Sequence, residues 1–235
     1  MTIFGKTLLA VVPARGGSKS IPKKNLTVLA GRTLIAHAAG VCAALPWIDQ
    51  AVLSTDDKEI AVEGRKVGLE VPFMRPAEFS GDLSTSVDMW RHAWLASEEA
   101  FAMRFDVAIL LEPTSPMRRP DDVEATVRTL LEGEYPAVCT ISRMPGHFTP
   151  QKTLTIDDEG RIGFYLQTGS SYSLRQTIPP YYYRNGICYA VRRETLIERG
   201  VIMDETCHAI VIERDVVNID DPIDLKFAEF LFSRT

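Results

Sequence analysis

The order in which short apolar runs alternate with longer amphipathic segments constrains this chain most. Residues 8–12, 51–54, 107–111, 137–141, 187–191 and 210–212 are rich in β-formers and apolar on both faces, the pattern of strands buried between two layers. Between and after them, residues 33–45, 58–67, 86–100, 121–131 and 223–232 carry apolar positions at helical spacing. Asp221 followed by Pro222, with Asp224 next but one, marks a helix start. Such alternation predicts an α/β fold built on a doubly wound, mostly parallel sheet. In such sheets ligands bind outside the carboxyl ends of the strands, so functional residues should follow the strands.

Residues 143–184 break the rhythm. They contain Pro145, Pro150, Pro179 and Pro180, with strand patterns at 153–156 and 161–166 around a turn at 157–160. The expectation is a β-hairpin excursion from one domain spanning residues 1–235, used to pack against a second subunit or to cover a substrate; a long surface loop is the alternative.

Charge narrows the ligand. The chain of 235 residues carries a net charge of -5, yet residues 1–48 contain Lys6, Arg15, Lys19, Lys23, Lys24 and Arg32 and no acid before Asp49. The remainder therefore carries -11. A nucleic-acid-binding protein would be basic more broadly, so a concentrated patch on an acidic body points to one small, highly charged anion. The longest uncharged stretch, residues 33–48, has sixteen residues and is interrupted by His37 and Pro46, too short for a membrane span. The apolar run at 8–12 is too short for a secretory signal, so a cytoplasmic protein is expected. Cys42, Cys139, Cys188 and Cys207 are far apart and lack C-x-x-C spacing, which suggests buried thiols rather than a zinc or redox site.

The patch concentrates in Pro13-Ala-Arg-Gly-Gly-Ser-Lys-Ser-Ile-Pro-Lys-Lys-Asn25, directly after the first strand. Gly16 and Gly17 allow backbone N–H groups to approach an anion, and Arg15, Lys19, Lys23 and Lys24 surround it with charge. The spacing matches neither G-x-x-x-x-G-K-[ST] nor G-x-G-x-x-G, which removes the main support for a P-loop NTPase or a dinucleotide-dependent oxidoreductase. At an effective dielectric near ~20, one cation about 4 Å from a phosphate charge contributes roughly 4 kcal/mol before desolvation. Two or three such contacts could hold a triphosphate.

This loop resembles the signature of the acylneuraminate cytidylyltransferases, the CMP-sialic acid synthetase family. Further stretches agree in order and spacing: Arg75-Pro-Ala-Glu before Ser84-Thr-Ser86, Leu111-Glu-Pro-Thr-Ser-Pro-Met-Arg118, Asn185-Gly-Ile-Cys-Tyr189, and Asn218-Ile-Asp-Asp before Asp224-Leu. The resemblance spans nearly the whole chain and implies a Rossmann-like sheet of the nucleotide-diphospho-sugar transferase type. It implies that the anomeric hydroxyl of a ulosonic acid such as N-acetylneuraminate attacks the α-phosphate of CTP, giving a CMP-sugar and pyrophosphate. Nucleotide binding would fall to Ala14, Arg15, Gly16, Ser18, Lys19, Lys24 and Asn25 of the loop, with Asn25, Arg75 and Ser86 recognising the cytosine and ribose. Asn25 as a turn residue and Ser86 as the cap of the following helix are the structural alternatives.

Transfer of this kind calls for Mg²⁺, or Mn²⁺ in its place, held by one or two carboxylates and the substrate's phosphates. Asp220 is the expected ligand; it follows an apolar strand pattern at 216–219 and precedes the helix start. Family members commonly have Asp-x-Asp where this chain has Asn218-Ile-Asp220, so Asn218 offers an amide oxygen as a weaker second ligand. Many members also have Gln at the position of Glu112, which is expected to contact the sugar, or to act as a general base. Arg15, Lys24, Asp220 and Glu112 form the expected catalytic group. Lys152 and Arg175 would meet the sugar's carboxylate and Asn185 the sugar itself, and a homodimer through the excursion is implied. Two other readings stay open. A nucleotide-sugar-dependent glycosyltransferase would show a D-x-D motif mid-chain and no cluster like that at 19–24. A non-catalytic CTP-binding module is motivated by Asn218 and Glu112.

Overall fold

The computed structural model describes residues 3, 5–81, 84–169 and 178–234. In chain order its regular elements are β1 (Leu8–Pro13), β2 (Val28–Leu29), β3 (Arg32–Thr33), α1 (Leu34–Ala43), β4 (Gln50–Ser54), α2 (Lys58–Lys66), α3 (Ser86–Phe101), β5 (Val107–Leu110), α4 (Pro120–Glu132), β6 (Ala137–Arg143), β7 (Leu154–Ile156), β8 (Ile162–Phe164), β9 (Tyr182–Arg192), β10 (His208–Val211) and α5 (Pro222–Phe232). Helix starts are fixed locally. The Thr33 side chain accepts from Ala36 N, Asp57 from the Glu59 and Ile60 amides, and Thr85 from Asp88 N. At α5 the Asp224 carboxylate accepts from the Asp220 and Asp221 amides, as the Asp-Pro-x-Asp pattern leads one to expect.

Among the described residues the central sheet has six strands in the order β10-β6-β9-β5-β1-β4. Every pairing is parallel except those of β9, which runs antiparallel to both β5 and β6. The alternation of side chains along β1 explains the layers. Leu8, Ala10 and Val12 pack with α1, α2 and α4, while Leu9 and Val11 face α3, whose Trp90 and Trp94 are fully buried. The doubly wound, mostly parallel sheet is therefore present.

One strand direction is added to that expectation, and one expected strand is corrected. The run at 187–191 belongs to a longer strand that is antiparallel to its neighbours: among the described residues the connection from β6 carries the β7–β8 hairpin and no α-helix, and Tyr182 pairs with Arg143. Residues 216–219 form no strand. Val216, Val217 and Ile219 are buried as extended chain, and the Ile219 amide donates to Thr114 O at 2.7 Å. The four cysteines are unpaired, and burial pushes the Cys42 and Cys188 thiols up to about 12, which leaves them unreactive. Among the described residues no helix is long and apolar enough to cross a membrane.

Candidate active site

Strand β1 sits between β4 and β5, and the connections that follow β1 and β5 leave on opposite sides. A crevice opens where such connections diverge. A cleft of about 590 Å³ lies there, reached by Pro13 at the end of β1 and by Leu110, Glu112, Pro113 and Thr114 at the end of β5. Arg15, Ser18, Lys19, Lys24, Asn25, Arg75, Ser86, Glu112 and Asp220 all line it. Nine residues chosen from sequence, separated by up to 205 positions, thus share one cavity.

The loop after β1 is held from below. Ala14 N donates to Ser54 O, and the buried Asn25 amide donates to Arg15 O at 3.0 Å. Gly16 does not offer its N–H to the cleft; it donates to Asp56 Oδ1 at 2.9 Å, and a Cβ there would stand 2.8 Å from Asp57 Oδ2. Its lack of a side chain therefore serves close packing. Lys23 points away into an exposed ion pair with Glu59. Lys24 Nζ turns inward and donates to Asp220 Oδ1 and Ile219 O, each at 3.0 Å. Ser20 also donates to the Asp220 carbonyl. The basic loop and the acidic segment before α5 thus meet at Lys24 and Asp220.

Arg75 is buried, with its guanidinium donating to the Ser54 hydroxyl and carbonyl at the end of β4. Burial, with Arg15 near it, lowers its pKa to about 10 against the opposing pull of Asp56. Ser86 opens α3 but does not cap it, since Thr85 does, so its hydroxyl remains available to the cleft.

Glu112 is bounded by an unusual piece of β9. Opposite β6 the register passes from Cys139↔Tyr189 to Ile141↔Arg184, so residues 185–188 bulge out against Thr140 alone. Thr140 Oγ1 and the Asn185 amide satisfy the bulge, bonding to each other at 2.7 Å, to Ser142 Oγ and to the Cys188 and Ile187 amides. Asn185 is thereby buried and its amide occupied within the strand pair. At the apex Gly186 has φ +71, and a Cβ there would lie 2.5 Å from both Glu112 Oε2 and Ser115 Oγ. Arg118 clamps the arrangement by donating to the carbonyls of Glu112, Gly186 and Ile187. Burial pushes the Glu112 carboxyl above its ordinary pKa, with Asp220 adding to the rise and Arg118, Arg184 and Lys24 opposing it.

Asn218 stands beside Gly186 rather than in the cleft lining, and its Oδ1 is buried with no hydrogen-bond partner. Among the described residues no group of three or more His, Cys, Asp or Glu side chains could hold a metal by itself. Lys152 is exposed at the end of the turn Pro150–Lys152, away from the cleft lining, and Arg175 lies outside the described residues. The lining also contains Ser20, Phe79, Ser80, Gly81, Met89 and Thr114, none of them foreseen. The Ser-Gly pair after Phe79 was a usable turn signal; a lone Phe or Met reads as core.

A family model described as Cytidylyltransferase matches residues 9–226. The chain belongs to this family. It is a nucleotidyltransferase, similar in sequence to the acylneuraminate branch. The CMP-N,N'-diacetyllegionaminic acid synthase of Legionella pneumophila is 29% identical over 230 residues, covering 95% of each chain. The N-acylneuraminate cytidylyltransferase of Streptococcus agalactiae serotype V is 29% identical over 212 residues, covering 88% of this cytidylyltransferase and 48% of the longer relative. Among solved structures, CMP:2-keto-3-deoxy-manno-octonic acid synthetase complexed with CTP aligns with TM-score 0.72 at 17% identity, over 97% of this chain and 99% of that one. That likeness places the sheet and its order in the same Rossmann-like class.

Proposed function

We propose that this cytidylyltransferase activates a ulosonic acid with CTP, releasing pyrophosphate and joining CMP to the sugar through its anomeric oxygen. The observation that carries this reading is the convergence of Arg15, Lys19 and Lys24 with Asp220 at the topological switch point. Relatives named for legionaminic, pseudaminic and acylneuraminic acids support the acceptor class.

In this reading the cations of the loop neutralise the triphosphate and align its α-phosphate for in-line attack, so that catalysis rests on positioning and charge. Arg75, Asn25 and Ser86 present donors and an acceptor to the nucleoside. Glu112, fixed by Arg118 and the β9 bulge, accepts a hydrogen bond from the sugar and orients the attacking hydroxyl. The donor set fits Mg²⁺ or Mn²⁺: Asp220 presents an exposed carboxylate, and Asn218 Oδ1 is an oxygen without a partner. Such an ion characteristically uses one or two protein oxygens and completes its shell from phosphates. Bound there, it would supply positive charge against the transferring phosphate. Lys152 and Arg175 are the cations proposed for the sugar's carboxylate.

Leu154, Ile156, Ile162 and Phe164 leave apolar side chains exposed on the β7–β8 hairpin, which suits burial against a second copy; sedimentation should return twice the chain mass. The functional reading is tested by pyrophosphate release from CTP with Mg²⁺ and a panel of sialic, legionaminic, pseudaminic and octulosonic acids. One acid of the panel should support turnover. Binding of CTP with no release for any acid would leave a nucleotide-binding module and remove the enzyme reading.

A further inference from the structure

The cleft lining divides into two chemically different stretches. The loop after β1 and Asp220 carry charge, whereas the turn Ala77–Phe79 and the first turn of α3 bring Phe79 and Met89 beside Leu110 of β5. Phe79 is the one aromatic among the described residues of the lining. The two stretches are bridged by Arg15, whose guanidinium reaches Gly81 O at 3.5 Å.

Phe79 is supported from behind. Its ring leans on the imidazole of His92 with centroids 5.0 Å apart and planes 34° apart, and Phe73 meets the same imidazole edge-on at 5.3 Å and 85°. His92 Nδ1 is buried without a hydrogen-bond partner. Burial, and then the nearby Arg75 guanidinium, lower the His92 pKa below its ordinary value and so disfavour the charged ring, with Glu78 opposing them. An apolar side chain would fill this space without the cost of an orphaned nitrogen. What the imidazole provides is a flat face at Phe79.

We propose that Phe79 is the stacking face for the pyrimidine ring of the nucleotide, and that His92 is the positioning residue that sets its angle. This rests on the CTP reading above. The face of an aromatic ring is electron-rich, so it offers nothing to a phosphate or a carboxylate but suits a planar base. With the triphosphate at Arg15, Lys19 and Lys24, the base falls to the rest of the lining, which includes Phe79, Asn25, Arg75 and Ser86. Hydrogen bonds select cytosine there, and the ring contributes affinity that does not depend on which base is bound.

The test compares binding of CTP and of inorganic tripolyphosphate to the full chain and to Phe79→Ala, Phe79→Leu, His92→Ala and His92→Phe. Phe79→Ala should weaken CTP by roughly 10-fold or more, the range expected for loss of one base stack, and leave tripolyphosphate binding unchanged. Phe79→Leu keeps bulk but no π face and should also weaken CTP. His92→Ala should weaken CTP less, and His92→Phe should restore it. The hypochromic change of the cytosine on binding should be present in the parent protein and lost in Phe79→Ala. Unchanged CTP affinity in Phe79→Leu, or equal weakening of CTP and tripolyphosphate in Phe79→Ala, overturns the stacking role. Failure of the parent protein to bind CTP at all would instead overturn the nucleotide reading.

Discussion

Gly186 shows how one position can be fixed twice. Its φ of +71 disfavours any side chain, and the space a Cβ would need is taken by Glu112 and Ser115. Gly186→Ala should therefore displace the Glu112 carboxylate, lowering turnover more than CTP binding and costing about 1–3 kcal/mol in urea denaturation. Parent-like stability and turnover would contradict the geometry. At Asp220 the expectation is chemical: Asp220→Ala should reduce turnover by at least ~100-fold with the fold intact, and Asn218→Ala should have a milder effect. Equal losses would make Asn218 a full partner. Charged residues were the legible ones, because Lys19, Lys24 and Asp220 have no business in a core and stand at ends of apolar runs. Phe79 was not legible as a cleft residue, since a half-buried ring leaves no mark in the sequence, and the Asn185-Gly186 pair signals a turn without saying that it packs against Glu112.

The bulge in β9 is the element that packs against Glu112 at the end of β5. It takes backbone groups out of the strand ladder, and the side chains of Thr140, Asn185 and Arg118 satisfy the Cys188 and Ile187 amides and the Gly186 and Ile187 carbonyls. Arg118→Met leaves three buried carbonyls without this donor and should cost on the order of 3 kcal/mol. A loss below about 0.5 kcal/mol would mean the clamp is dispensable. Strand and helix positions were readable from periodicity. The direction of β9 was not, because a buried antiparallel strand has the same apolar composition as a parallel one. The missing signal was negative: no helical pattern lies between residues 143 and 184, and without a crossover helix the returning strand pairs antiparallel. The apolar run before Asp220 misled for a related reason, since burial alone makes extended chain look like a strand.

Across the whole molecule, the charge imbalance between residues 1–48 and the rest resolves into two halves of one site, joined at Lys24 and Asp220. Two half-buried histidines add a pH dependence to the fold. Burial lowers the pKa of His37, which bonds to Leu29 O, and of His92. As pH falls below about 6.5 the unfolded chain takes up protons that the folded chain resists, so stability present above that pH is progressively lost. The urea midpoint should be lower near pH ~5.5 than near ~7.5, and the difference should shrink when both histidines are replaced by Gln; an unchanged difference in that variant would contradict the assignment. The chemistry itself is read most directly by ³¹P NMR of the complete reaction with CTP, Mg²⁺ and the acid that supports turnover. The account predicts a phosphodiester signal and pyrophosphate rising one to one as CTP disappears. Conversion of CTP to CDP and phosphate, with no phosphodiester, would contradict it.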